Sequence, residues 1–124
     1  MTPVSYSGRR WEVLLLDVVI DWFTPLPTED IDLVTAAIDS LEAHGPTLGR
    51  PVVDHVKASR HHNMKELRPG SSGRSEIRIL FALDPRRRAV LLVVGDKAGN
   101  WKRWYGRNIP IADDRYDEWL RTEL

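Results

Sequence analysis

The sequence predicts an α+β fold, and three observations carry that prediction. Ile31, Val34, Ile38 and Leu41 recur at helical spacing between Thr28 and Gly45. Glu76–Leu83 alternates instead, with Ile77, Ile79, Phe81 and Leu83 on one side and Glu76 and Arg78 on the other. The strand signals of the second half follow one another across short turns, which favours an antiparallel meander over βαβ units.

Taken in order, Trp11–Ile20 is rich in Val, Leu and Ile and predicts a first strand. Pro25 and Pro27 interrupt it. Thr28 is the expected N-cap of the amphipathic helix, Glu29 and Asp30 place negative charge in its first turn, and Gly45-Pro46 stops it. Pro51 is placed to open a short second helix through Val52, Val53 and Val56. Met64–Arg68 reads as a short strand ended by Pro69-Gly70. Asp84-Pro85 opens a turn through Arg86, Arg87 and Arg88. Ala89–Val94 is apolar without alternation, as a strand covered on both faces would be. Ile111–Leu124 closes the chain as a helix with Tyr116, Trp119 and Leu120 at helical spacing. The expected order is a strand, one or two helices, three antiparallel strands and a terminal helix.

Composition narrows the function classes. With 124 residues, 42% apolar and 29% charged, the chain is expected to form one globular domain over residues 1–124 rather than a disordered segment. It has no cysteine, which excludes disulfides and thiolate chemistry and suits the cytoplasm. The apolar run Val13–Ile20 is broken by Asp17 and is too short for an export signal or a membrane span. The segments GxxxxGK[ST], GxGxxG and GxSxG are absent, so nucleotide loops and the serine-hydrolase elbow find no support.

Zero net charge hides a strong asymmetry. Residues 1–59 hold 4 Lys/Arg against 9 Asp/Glu, residues 60–108 hold 12 against 4, and residues 109–124 hold 2 against 5. A middle segment this basic suggests a surface for a polyanion. Its densest stretch is "GDKAGNWKRWYGR" (95–107), where Lys97, Lys102, Arg103 and Arg107 alternate with Trp101, Trp104 and Tyr105. The three rings fall at i, i+3 and i+4, so they form either a core stripe or a platform on which bases stack. Arg78 sits between two inward-facing isoleucines and must emerge on the other sheet face, either paired with Glu76 or Glu66 or held against a phosphate. Lys65, Arg68 and Lys97 are placed to reach the same sheet. His61 and His62 are adjacent and lack the spacing of a metal ligand set, so no metal site is expected.

"HHNMKELR" (61–68), "EIRILFALDPRRRAVLLVVGDK" (76–97) and "NIPIADDRYDEWL" (108–120), preceded by "LEAHGPTLGRP" (41–51), together resemble the RelE/HigB superfamily of bacterial type II toxins. The resemblance covers about residues 11–122. It implies helices packed on a twisted antiparallel sheet, and a ribosome-dependent mRNA endonuclease that needs no cofactor. In that chemistry the ribose 2′-hydroxyl attacks the adjacent phosphate while basic side chains orient RNA and stabilise charge. On this resemblance the catalytic positions are Arg78, Lys65 or Arg68, Lys97 and Tyr105. Arg86, Arg87, Arg88, Trp101, Lys102, Arg103 and Arg107 would bind RNA. The implied partners are a cognate antitoxin, expected to be a helix-turn-helix protein encoded nearby, and the ribosome with its mRNA; a membrane is not among them. Relatives of the same fold that inhibit a protein such as DNA gyrase, and a plain RNA- or DNA-binding module, are the alternative readings.

Overall fold

The computed structural model describes residues 11–124. Its first apolar run splits in two. Glu12–Leu15 is a strand (β1), and Asp17–Phe23 is a helix (α1) entered from an extended Leu16. The sequence-based strand over Trp11–Ile20 is therefore corrected. Asp17 sits in the first helical turn, where a carboxylate is favoured, and helical geometry buries Val19 while exposing Val18 and Ile20. The β-branched composition that suggests a strand is overridden by packing of α1 on the sheet.

Thr28–His44 forms the expected helix (α2), although Thr28 is its first residue and Pro27, which has no capping side chain, takes the N-cap position in its place. Val34, Ala37 and Leu41 are buried. After a single 3₁₀ turn at Gly45–Thr47, Val53–His55 forms an edge strand (β2) in place of the expected short helix. Its partner explains the change: Val53, Asp54 and His55 pair antiparallel with Leu67, Glu66 and Lys65 of the strand Met64–Leu67 (β3). Ile77–Leu83 (β4) and Arg88–Asp96 (β5) complete a five-stranded sheet in the order β1-β5-β4-β3-β2. β1 runs parallel to β5 and the other pairs are antiparallel. The expected α+β fold thus stands, with a mixed sheet of five strands. The last helix (α3) spans Trp101–Glu123 and starts ten residues before the expected Ile111.

Two apolar cores cover the two sheet faces. Val19, Val34 and Leu41 meet Ile77, Ile79, Phe81 and Leu91 on one face. On the other, Ile109, Ala112 and Tyr116 of α3 meet Met64, Leu80, Ala82, Val90 and Leu92. One irregularity decides where the far end of β5 points. Leu80 pairs with Val93 but Phe81 pairs with Leu91, so β5 carries a bulge at Leu92. Leu92 and Val93 both join the α3 core, and the parity of the strand reverses beyond them. Gly95 is thereby turned toward α3, and Lys97, two residues on, emerges on the same side.

Charge is segregated by layer. Residues 11–49, which build β1, α1 and α2, carry eight carboxylates and no Lys or Arg. The basic segment lies on the sheet, its turns and the start of α3.

Candidate functional site

A cleft of ≈ 470 Å³ opens between β2, β3 and the first turns of α3, lined by His55, Lys57, Glu66, Arg68, Lys97, Trp101 and Tyr105 among others. The helix supplies one wall by spacing alone, since Trp101, Tyr105 and Ile109 fall at i, i+4 and i+8. Trp101 is 55% exposed at the rim, which leaves a face free for stacking. Trp104, on the adjacent stripe, packs down onto the sheet instead. It contacts Tyr105 edge-on with ring centroids 5.1 Å apart, and it lies so close over Gly95 that an added Cβ would stand 2.2 Å from its indole nitrogen. The two alternatives for these rings are therefore divided among them: Trp104 joins the core, and Trp101 does not.

The close approach at Gly95 yields a prediction. Gly95→Ala must push Trp104 outward and carry Tyr105 with it, costing about 1–3 kcal/mol of overpacking strain. The expected result is a modest drop in melting temperature with a larger loss of whatever the cleft does. Wild-type melting together with an undiminished function of the cleft would show that Trp104 is not the cleft's support.

Cations reach this end of the sheet from three strands. Arg78 pairs in register with Gly95, on the face that carries Leu80 and α3. Its Nη1 donates to the carbonyl of Ile77 at 2.9 Å, and its buried Nε has no hydrogen-bond partner. Neither Glu76 nor Glu66 pairs with it; among the described residues no carboxylate forms an ion pair with Arg78. The Lys97 ammonium stands 5.6 Å from the centre of the Tyr105 ring. Arg68 donates through Nε to Glu66 Oε1 at 2.7 Å and through Nη2 to Asp54 Oδ2 at 3.2 Å. Those bonds, the one to Glu66 first, hold the Arg68 guanidinium above its ordinary pKa.

The sequence suggests Glu66 only as an ion-pair partner, yet it is the buried centre of the cluster. It is 2% exposed, and its Oε2 has no hydrogen-bond partner. Burial pushes the Tyr105 phenol well above its usual range, the Glu66 carboxylate beside it adds to the shift, and Arg78 and Arg68 oppose it. Tyr105 is accordingly a neutral hydroxyl at physiological pH, a donor rather than a phenolate base. His55 and Lys57, also missed in the sequence, line the cleft because β2 is a strand and brings them to the edge.

The other expected site residues lie elsewhere. Lys65 is opposite Phe81 in register and points to the α1/α2 face, away from Glu66 and Arg78, because neighbours along a strand alternate. Of the pair Lys65 and Arg68, the cleft therefore contains Arg68. Arg86 and Arg87 occupy the β4–β5 turn and Arg88 opens β5, at the far end of a seven-residue strand, about 20 Å from the cleft. Arg88 is committed to Asp84 at 2.7 Å and lies over Trp119, and Arg87 lies over Trp11. Arg103 and Arg107 flank a separate shallow hollow with Asp96 and Asn108, while the Lys102 ammonium stands 5.5 Å from the Trp101 ring centre. The basic segment is thus split into several patches rather than gathered on one face.

The histidine pair is also placed. His61 Nε2 lies 2.7 Å from Asp117 Oδ1 and its ring meets Tyr116 edge-on, inside a network where Arg60 and Ser59 bind Asp113, Asp114 and Asp117. That network fastens the loop after β2 to α3. Among the described residues no group of three or more His, Cys, Asp or Glu side chains is arranged to hold a metal ion. Nor is any described helix long and apolar enough to cross a membrane.

With this geometry in view, comparison with known proteins supplies the family. Residues 21–117 match the family described as phage derived protein Gp49-like (DUF891). The chain is 60% identical over 111 residues to the Mycobacterium tuberculosis protein named "Putative toxin HigB3", covering 90% of this chain and 95% of that one. It is 57% identical over 99 residues to "Putative toxin HigB2" of the same organism, covering 80% of this chain and 49% of that one. Its fold matches the free state of a mutant of the Escherichia coli toxin RelE with a TM-score of 0.56 at 9% identity, over 93% of this chain and 99% of that one. At that identity the likeness concerns the fold alone. The chain belongs to the Gp49-like family, and it is a toxin of the HigB type with the fold seen in RelE.

Proposed function

We propose that this toxin is a ribosome-dependent mRNA endonuclease, acting by attack of a ribose 2′-hydroxyl on the adjacent phosphate, and that a cognate antitoxin restrains it. The observation that carries the reading is the meeting of Lys97, Arg68, Trp101 and Tyr105 in one cleft with Arg78 beside it. Lys57, Arg68, Arg78 and Lys97 set four cations there against the carboxylates of Asp54 and Glu66. The excess of positive charge suits a phosphodiester whose negative charge grows in the transition state.

Each group has a task in that reaction. Arg78, with an unpartnered Nε and no carboxylate to neutralise it, is suited to the non-bridging phosphate oxygens, where a guanidinium makes charge-assisted hydrogen bonds. Lys97, at the open rim, is suited to stabilise the departing 5′-oxygen and give it a proton. Trp101 offers a flat face on which a base stacks, a contact of about 1–3 kcal/mol in single-strand binders. Arg68 is braced by two carboxylates and holds the cleft wall. The bond from phosphorus to the 5′-oxygen breaks as the bond to the 2′-oxygen forms, leaving a 2′,3′-cyclic phosphate and a 5′-hydroxyl.

Purified toxin added to ribosomes stalled on a defined message should release transcript fragments with those ends. Cations on phosphates also make association salt-dependent. Three or four such contacts predict a roughly 20- to 50-fold loss of affinity for ribosome-bound message between 50 and 200 mM salt. Binding that is flat across this range, with intact message, would move the target from RNA to a protein.

A further inference from the structure

Among the described residues, two buried side-chain polar atoms lack a hydrogen-bond partner, and they are Glu66 Oε2 and Arg78 Nε. They carry opposite charge and belong to one cluster. Glu66 pairs with Leu80 in register, and Arg78 lies two residues from Leu80 on the same face of β4. Tyr105 lines the same cleft as Glu66, and burial first and the Glu66 carboxylate second raise the pKa of its phenol, with Arg78 opposing. Orphaned polar atoms are costly in a fold unless something completes them.

A carboxylate whose only task was to clamp Arg68 would take the guanidinium fork with both oxygens. Here the fork is divided. Arg68 gives Nε to Glu66 Oε1 and Nη2 to Asp54, so Asp54 releases the second oxygen of Glu66 from the clamp. That oxygen is buried and unpartnered, and Glu66 lines the cleft together with Tyr105. A hydroxyl can give one proton while receiving another, so it can connect a buried carboxylate to a reacting group in the cleft.

We propose that Glu66 is a positioning residue that acts through Tyr105, taking the tyrosine hydroxyl's proton as Tyr105 accepts the proton of the attacking 2′-hydroxyl. The inference rests on the endonuclease reading above. The 2′-oxygen gives its proton to the Tyr105 oxygen, and the tyrosine's own proton passes to Glu66 Oε2. The freed electron pair on the 2′-oxygen forms the bond to phosphorus. The pair of the breaking bond leaves on the 5′-oxygen, which takes a proton from the Lys97 ammonium. Glu66 later returns its proton to water by the same route, and Lys97 is reprotonated from solvent. Tyr105 thus never accumulates as a phenolate. Hydrogen bonds of this kind commonly tighten only when substrate closes the site.

The test is single-turnover cleavage of ribosome-bound message across a range of pH, for wild type, Glu66→Gln, Tyr105→Phe and the double variant. Glutamine keeps an acceptor for Arg68 but cannot take a proton. Each single variant should cleave about 10²-fold or more slower. The acidic limb of the profile should vanish with ribosome affinity unchanged, and the double variant should be no slower than the worse single one. The charged and titratable groups around Glu66 are Arg68 and Asp54 from the β2–β3 edge, Arg78 from β4 and Tyr105 from α3, with Lys97 just after β5 and His55 and Lys57 lining the same cleft. All of them remain in Glu66→Gln.

A Glu66→Gln protein that cleaves at the wild-type rate, or cleaves slowly with its acidic limb intact, would overturn the relay, as would losses that multiply in the double variant. If Glu66→Gln does not fold, Tyr105→Phe decides alone, because phenylalanine keeps the ring between Lys97 and Trp104. An intact acidic limb in that variant defeats the proposal. Wild-type protein that cuts no ribosome-bound message at all would instead defeat the endonuclease reading itself, before any variant is compared.

Discussion

Arg78→Ala should fold like the wild type and lose its toxicity. Two small energetic effects oppose each other in the variant. The bond from Nη1 to the Ile77 carbonyl is lost, which costs about 1 kcal/mol. The buried Nε without a partner is removed as well, which relieves a penalty of about 1–3 kcal/mol. Because no carboxylate forms an ion pair with Arg78 among the described residues, and the buried Glu66 keeps its bond from Arg68, truncation breaks no buried ion pair, the usual reason such a change is severe. The melting temperature should therefore move by only a few degrees. Cleavage should fall by about 10²–10³, the effect of deleting one preorganised charge at a transition state. Ile79→Ala, on the opposite face of the same strand and fully buried, is the internal contrast. It should lose about 2–5 kcal/mol of stability with the cleft chemistry intact in whatever remains folded. Melting curves, growth on expression and mapping of transcript ends for both variants check this directly. If Arg78→Ala unfolds, the arginine is architectural. If it folds and stays toxic while wild-type protein never cuts RNA, a protein target of the gyrase type gains.

How much of this is legible in the sequence depends on whether a feature is set by local period or by partners. α2 and β4 are readable because each writes its own geometry: one apolar stripe at 3.6 residues and one alternation at two. The break after Leu15 is not, since Val18-Val19-Ile20 suits a strand by propensity, and only the helical burial of Val19 under tertiary packing decides otherwise. β2 exists because β3 offers it a ladder, a non-local fact. The clearest limit is the bulge at Leu92. No composition cue marks it in an unbroken apolar run, yet it turns Gly95 toward Trp104 and brings Lys97 to the side of Tyr105. Within the candidate site, Arg78, Lys97, Arg68 and Tyr105 are found by residue type. Lys65 groups with them on the same ground, because cross-strand register is invisible in a single chain. Glu66 escapes notice because one acid among cations reads as a simple counter-ion; only its second, unpartnered oxygen shows that more is at stake.

The end of the sheet away from the cleft carries the second large expected effect, on stability. Asp84 is fully buried at the side chain and collects four donors: the backbone amides of Arg86 and Arg88, the Arg88 guanidinium at 2.7 Å and the Trp119 indole at 2.9 Å. It ties the β4–β5 turn to the last turns of α3. Burial alone would raise its pKa, but the bonds from Trp119, Arg88 and Arg86 outweigh that and hold it below the usual carboxylate value. Asp84→Ala leaves Arg88 half-buried without its partner and should cost about 3–5 kcal/mol. For a chain of this size that lowers the melting temperature by roughly 10–20 °C. The pH dependence has a definite sign. A carboxylate whose folded pKa is depressed stabilises fully above its unfolded pKa of about 4 and loses that contribution as pH falls through the folded value. Asp84→Asn removes the charge but keeps an acceptor for Trp119. The stability difference between wild type and Asp84→Asn should therefore be constant from neutral pH down to about 4 and shrink below it. Denaturant unfolding of both proteins at a series of pH values measures this, and a difference that persists unchanged well below that range would show that the charge of Asp84 is not what holds the turn to α3.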